Sequence, residues 1–398
     1  MNFTVRAIRW APLLAALAAL LVLALGRGLT DRFWWSQYLY WTPAWLLLAC
    51  AVFAVIVYAA FAILTARRHA GRVERAVRWV VAVSLALACA HACVFEYRLT
   101  RYLTGRPAGP KEGSGLRVLV WNAMGPDLPP GPHIPRQIID ECDPDVFFFA
   151  SRMSAPGSYE NTVKPLGPEY YTAGRGVYIA VSRFPIISQR LFTLGLNNVA
   201  QRVSIQKGAD PAAPTDPANL PPPTTRSRRY FEEFYNGVLT RVGLPPRYFR
   251  DLDPGHLYVL TLDTTAKLGR PITVWYIDLP SDPVDSKRTM AALISQRLGS
   301  IRKNDLETGA EPLAAPDMVL GDFNLPRGSG SIGLFAPGLA NAFDQAGRGI
   351  SGTWPRAWPT LQIDQVLLGP GLRAFDHRVR DMGSSDHLAV IVDLQAAR

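Results

Sequence analysis

Cysteine is nearly absent where a disulfide would matter. Of four cysteines in 398 residues, Cys50, Cys89 and Cys93 lie in apolar runs and only Cys142 lies beyond residue 103. No disulfide can form within the C-terminal portion, so its fold must rest on core burial, and the count says nothing about compartment. A basic footprint is lacking there too. The formal net charge is +10, but residues 1–103 hold eleven arginines and three acids, a net of +8, which leaves +2 for residues 104–398. The excess belongs with membrane topology, and the charge of the C-terminal portion gives nucleic-acid binding no support. No internal repeat is present, which excludes an array of stacked units.

Charge is also missing from three long stretches. "WAPLLAALAALLVLALG" lies between Arg9 and Arg27, a second run extends from Phe33 to Ala66, and a third from Trp79 to Phe95. Each is long enough to cross about 30 Å of hydrocarbon as a helix. The predicted transmembrane helices fall at about 10–26, 42–65 and 79–95. A cleavable signal peptide fits the first run less well, because "LALGRG" is a poor small-residue cleavage site and two more runs follow. The aromatic cluster "FWWSQYLYW", Phe33 to Trp41, suits either headgroup depth or ordinary packing. "ARRHAGRVERAVR", Ala66 to Arg78, carries five arginines against one glutamate. That loop and the N-terminus are therefore expected to be cytoplasmic. The C-terminal domain is then extracytoplasmic, on a multi-pass protein of a bacterial-type inner or plasma membrane.

Residues 104–115, rich in glycine and proline, read as a linker. Short runs of valine, isoleucine and aromatics follow: "RVLVW", "DVFFFA", "GVYIAVS", "LYVLTLD", "ITVWYID", "DMVLGDF", "IDQVLL" and "LAVIVDL". Several are apolar throughout, as strands of covered sheets are. Met290, Leu293, Ile294, Leu298 and Ile301 form the stripe of one helix. Strands mixed with helices predict an α/β or α+β sandwich covered by helices over 116–398. An excursion at about 205–256 interrupts it. Lys207–Arg229 is too rich in proline to pair or to continue a helix, and a short amphipathic helix is expected after it, over Tyr230 to Val242.

Chemistry concentrates at strand ends. "VLGDFN" delivers Asp322 and Asn324, which strand alternation predicts on one side, with Phe323 pointing to the core. A carboxylate and an amide on one rim can orient a water and hold a phosphoryl oxygen. Asn122 ends the first strand of this portion, Asp364 opens another, and Asp386 and His387 precede the last.

This set, with "SRFPI" (Ser182–Ile186) and "GTWP" (Gly352–Pro355), resembles the endonuclease/exonuclease/phosphatase superfamily, including its bacterial membrane-tethered members, over residues 116–396. The resemblance implies transmembrane α-helices followed by a four-layer sandwich, two mixed β-sheets flanked by helices. It also implies hydrolysis of a phosphoester by an activated water with a divalent cation, Mg2+ or Mn2+. Asp322 would orient or deprotonate the water. Asn122, Asn324 and His387 would hold the phosphate, His387 being oriented by Asp364. Asp386 and Asn122 would serve the metal. Two departures bear on that metal. The family's metal-binding glutamate is replaced at Ser151, after Ala150, and a usual histidine is replaced by Asp278, which becomes a candidate replacement ligand, with Asp127 nearby. A membrane-anchored phosphoesterase of unassigned substrate is the leading expectation. The other is a degenerate domain of the same fold that binds a ligand or partner at the membrane.

Overall fold

The computed structural model of the protein describes residues 3–64, 71–105, 109, 115–123, 133–150, 162–163, 166–175, 177–196, 237, 241, 254–281, 286–383 and 385–397, with backbone alone at 3–9 and 133. Asp127, Ser151, most of the expected linker and nearly all of the 205–256 excursion lie outside those residues, as does the helix expected after it apart from residues 237 and 241.

Three N-terminal helices are long and apolar enough to cross a membrane, over Trp10–Leu29, Ala44–Leu64 and Arg72–Glu96. The first belongs to α1 (Phe3–Leu29). The second apolar run is not one helix. Pro43 forces Thr42 into extended backbone (φ −66°, ψ 121°), which splits a short α2 (Ser36–Trp41) from α3 (Ala44–Leu64). The third, α4 (Arg72–His91), starts seven residues before the expected 79 and runs on into a π-helical turn, Ala92–Glu96. In its polar first turns Glu74 and Arg78 pair at one-turn spacing, 2.7 Å apart, which supports the helix there. Leu13, Ala16, Leu20, Ala51, Ala54, Tyr58 and Val81 pack the helices together.

Beyond them lie two six-stranded mixed sheets among the described residues. The first has the order β11-β12-β1-β2-β4-β3. It is built from β1 (Leu116–Asn122), β2 (Val146–Ala150), β3 (Tyr171–Arg175), β4 (Tyr178–Ser182), β11 (Leu372–Arg380) and β12 (Ala389–Ala396). The second has the order β5-β6-β7-β8-β10-β9. Its strands are β5 (Ile186–Thr193), β6 (His256–Leu262), β7 (Ile272–Asp278), β8 (Met318–Asp322), β9 (Ala340–Asn341) and β10 (Asp364–Leu368). Each sheet has one parallel pair, β1 with β2 and β7 with β8. Val118, Val120 and Phe148 face Leu260, Val274 and Leu320 between the sheets. Outside, Trp275 and Val319 pack on Met290, Ile294 and Leu298 of the helix Lys287–Thr308, and Phe147 and Phe149 on Ile134 and Ile138. The arrangement is a four-layer sandwich, and it explains why β2, β4, β7, β8 and β10 are buried throughout: both faces of each sheet are covered.

The N-terminal helices dock on this sandwich at the loop that follows β8. Tyr40 Oη donates to the Arg327 carbonyl, Arg327 Nη2 donates to the Glu96 carbonyl at 2.6 Å, and Asp31 Oδ1 accepts from Ser331 N at 3.1 Å. Arg101 Nη1 reaches the carbonyls of Phe343 and Gly347 at 3.0 and 2.6 Å. Trp45 stacks on Trp358 at 5.8 Å.

One glycine decides whether β8 can lie beside β7. Gly321 has φ +134°, and a Cβ there would sit 1.9 Å from the Ile277 carbonyl oxygen. Gly321→Ala costs about 1–3 kcal/mol in backbone strain before that overlap is relieved, and it pushes Asp322 away from β7. The expected outcome is loss of folded protein, or a thermal midpoint several degrees lower, in the detergent-solubilised full chain. An unchanged midpoint contradicts this account of the strand pair.

Candidate active site at the ends of strands β1, β7, β8 and β10

Four strands converge at one edge of the sandwich. Register pairs Asp322 with Asp364 across antiparallel β8 and β10, and with Asp278 across parallel β7 and β8. Asn122, the last residue of β1, reaches across from the other sheet, its Nδ2 donating to Asp322 Oδ2 at 3.0 Å. Just before β12, Ser385 Oγ donates to the Asn122 carbonyl at 2.5 Å and accepts from His387 N at 3.0 Å. Trp121 Nε1 donates to the His387 carbonyl at 3.1 Å. These bonds set the imidazole over the strand ends.

His387 Nδ1 lies 2.8 Å from Asp364 Oδ2, while its Nε2 faces Asp322 Oδ2 at 3.8 Å and Asp386 Oδ1 at 4.0 Å. Asp364 is wholly buried, and Asp322 and His387 are nearly so. The electrostatics follow from that burial. Burial, with the Asp364 charge adding to it, pushes the Asp322 carboxyl up to about 6, against the pull of His387 and the bonds from Asn324 N and Asn122. Burial alone would lower His387, but the charges of Asp364, Asp322 and Asp386 and the Asp364 bond outweigh it and raise the imidazole to about 10. Tyr276 forms the floor. Its phenol is pushed far up by burial and by Asp278, Asp364 and Asp322.

The structure brings Asn122, Asp322, Asp364 and His387 together. Asp386 stands at the rim, where Trp354 Nε1 donates to its Oδ2 at 3.2 Å. Two expected roles change. Asn324 does not continue the strand: its backbone is left-handed (φ +45°), its N–H donates to Asp322 Oδ1 at 2.9 Å, and its side-chain amide donates to the Leu279 carbonyl at 2.6 Å. Alternation fails because β8 ends at Asp322, and one of the two amide N–H groups expected to meet phosphate is engaged by a backbone carbonyl. Asp278 lies apart from the closest acidic group; its Oδ2 accepts from Tyr178 Oη at 2.9 Å, and that hydroxyl also lies 3.0 Å from His256 Nδ1.

Tyr178, Thr353 and Ser385 escaped the sequence reading. "GTWP" gains a physical meaning here: Thr353 Oγ1 accepts from Ile363 N and Asp364 N at 3.2 and 3.1 Å, while Trp354 steadies Asp386. Gly352 admits no side chain, since a Cβ would stand 2.1 Å from the Pro359 carbonyl oxygen.

Among the described residues, Asp322, Asp364 and His387 form one group whose ligand atoms all lie within 4.8 Å of one another. A hard dication fits this charge pattern. Asp364 Oδ1 is buried without a hydrogen-bond partner, and the Asp322 carboxyl is raised by burial and then by the Asp364 charge, both of which a dication would offset. The oxygens of Asp322 and Asp386, with the Asn122 amide oxygen, are the donors suited to it. His387 suits it less, since an imidazolium has no lone pair to give.

The family model described as "Endonuclease/Exonuclease/phosphatase family" matches residues 119–387. No curated protein matches the chain. Among solved structures, a protein of that family from Bacteroides thetaiotaomicron is 14% identical, with 70% of this chain and 97% of that chain covered and a TM-score of 0.43. The mannosyl-6-phosphatase of Bacteroides thetaiotaomicron is 13% identical (70% and 99% covered, TM-score 0.42), and the human Nocturnin catalytic domain is also 13% identical (74% and 98%, TM-score 0.43).

The raised His387 sets a pH dependence. A group whose folded value lies above its ordinary 6.5 adds stability that is complete below about 6.5 and is lost as pH rises through about 10. With a chelator present, His387→Gln is expected to lower the thermal midpoint by several degrees at pH 6.5 and to converge on the unsubstituted chain by pH 10. A gap that stays constant across that range contradicts the charge assignment.

Proposed function

The chain belongs to the endonuclease/exonuclease/phosphatase family, and from that premise we propose that it is a membrane-anchored, divalent-cation-dependent phosphoesterase in which Asp322 activates the attacking water. Members of the family are hydrolases of phosphoester bonds and generally use divalent metals. The observation that carries the reading is the buried group of Asp322, Asp364 and His387 at one sheet edge. Burying charged groups is costly unless they are paired, and a fold serving only as a scaffold gains nothing from placing two carboxylates there.

Each side chain then has a task. Both Asp322 oxygens are held, one by Asn324 N and one by Asn122 Nδ2, so the carboxylate presents a fixed acceptor to a water proton. His387 carries protons on both nitrogens. Asp364 holds Nδ1–H, and Nε2–H is left to donate to a phosphoryl oxygen as charge builds there. Asn122 positions Asp322 and offers its amide to the same phosphate. Asn324 acts through Asp322 and is a positioning residue. A dication held by Asp322, Asp386 and the Asn122 amide oxygen, with Mg2+ or Mn2+ the natural ions for such donors, would supply charge neutralisation at the phosphoryl oxygens. The three apolar helices support anchoring, and the loop arginines between the second and third support an extracytoplasmic domain at a bacterial-type inner or plasma membrane. The substrate is a phosphoester, and the near-neutral domain favours no nucleic acid.

The test uses the full chain in lipid vesicles, because the membrane-region helices hold the loop after β8. With bis(p-nitrophenyl) phosphate and Mn2+ or Mg2+, metal-stimulated turnover is expected, and Asp322→Ala should lower it about 10²- to 10⁴-fold. No turnover with either ion supports the degenerate, ligand-binding reading instead. Asp278→Ala in the active protein is expected to leave metal affinity unchanged, since Tyr178 Oη holds its carboxylate; weakened affinity would instead make Asp278 the replacement ligand.

A further inference from the structure

The catalytic reading leaves unused a cavity of about 230 Å³ between the membrane-region helices and the sandwich. Arg27, Trp41 and Glu96 line it from the helices, and Arg327, Ser351 and Gln362 from the domain. A groove of about 620 Å³ runs down from it between α1 and α4. Arg27 and His91 line both spaces, so the groove and the cavity meet at those two residues. Leu17, Leu21, Ala24 and Gly28 line the groove from α1, spaced four, three and four residues apart, so they share one face of that helix. Ser84, Leu87 and Ala88 line it from α4. Small residues make this depth: a Cβ on Gly28 would meet nothing within 4 Å.

The two spaces differ in chemistry as the ends of an amphiphile do. The groove lies within helices long and apolar enough to cross a membrane and is lined mostly by aliphatic side chains. The cavity end is cationic. Arg27 pairs with Glu96, which also lines the cavity, while Asp344 is shared by two guanidinium groups, Arg98 at 2.9 Å and Arg327 at 2.7 Å. Arg101, spent on backbone carbonyls beside them, is held below the usual arginine range by burial and then by Arg98. Of the arginines and carboxylates in this region, Arg27 and Arg327 line the cavity itself against one carboxylate, Glu96. An anion inside the cavity would balance them.

We propose that this junction binds one anionic phospholipid, its acyl chain in the groove between α1 and α4 and its phosphate headgroup in the cavity against Arg27 and Arg327. The site is separate from the catalytic group and rests on the membrane-anchored part of the function proposed above. Its walls still belong to the catalytic segments: Arg327 follows Asn324 by three residues, and Gln362 precedes Asp364 by two. A bound headgroup therefore steadies the loop after β8.

The experiment places the full chain in phosphatidylcholine vesicles carrying a trace of acyl-chain spin-labelled phosphatidylglycerol, and reads the motion-restricted fraction by electron paramagnetic resonance. The expected result is a saturable site for the phosphatidylglycerol label, about tenfold or more in preference to the same label on phosphatidylcholine, a difference of about 1.4 kcal/mol. Gly28→Leu, which fills the groove, and Arg327→Gln, which removes headgroup charge, should each abolish the preference. Phe53→Leu, on the exposed face of α3, should leave it intact. Should Gly28→Leu fail to assemble, Ser84→Leu blocks the same groove from α4. Equal restriction of both labels, or a preference untouched by the groove and headgroup variants, overturns the proposal. So does displacement of the label by glycerol phosphate as effective as that by unlabelled phosphatidylglycerol, since the chain would then play no part. A chain that does not enter the vesicles fails the anchoring reading instead.

Discussion

The structure turns on a cost that it has to meet at one sheet edge: two carboxylates and an imidazole held out of water. Buried ions survive only when paired, and here the pairing is geometric. Antiparallel register puts Asp322 opposite Asp364, the Ser385 turn drops His387 between them, and the imidazole accepts a proton that burial alone would have denied it. The balance is incomplete. Asp364 Oδ1 has no hydrogen-bond partner and Asp322 is raised, so the site leaves room for further positive charge. An arrangement one cation short suits a phosphoesterase better than it suits a scaffold.

The N-terminal apolar helices are part of how this edge is held. The loop after Asn324 is fixed by contacts from Asp31, Tyr40 and the backbone of Glu96, all outside the sandwich. Lys287, at the start of the long covering helix, is buried, and its backbone N–H donates to Gln37 Oε1 at 3.1 Å. Docking of these helices and active-site geometry are therefore mechanically linked.

Most of the architecture was legible in the sequence because it follows from local pattern. The eight apolar runs are strands, and Met290, Ile294 and Leu298 do face the core from a helix. The strands that were missed, β3, β5, β9 and β11, are those with exposed or mixed positions, where periodicity is weak. At the site, Asp322 was readable because it ends an apolar strand. The placement of Asn324 does not follow from alternation, because its own left-handed backbone lies beyond the end of β8. Tyr178 was invisible as a partner of Asp278, since a contact between the two sheets depends on their packing and leaves no mark at either residue. "FWWSQYLYW" served both of its readings: Phe33, Trp34 and Trp35 are exposed, whereas Tyr40 bonds to the domain.

The central claim is that His387 stands as an imidazolium between Asp364 and Asp322 at neutral pH. Nitrogen-15 NMR of the histidine-labelled full chain, with His387 assigned from the spectrum lost in His387→Gln, measures this directly. The account predicts both ring nitrogens protonated at pH 8, with titration near pH 10. A neutral ring at pH 8, titrating at or below its ordinary 6.5, would contradict it.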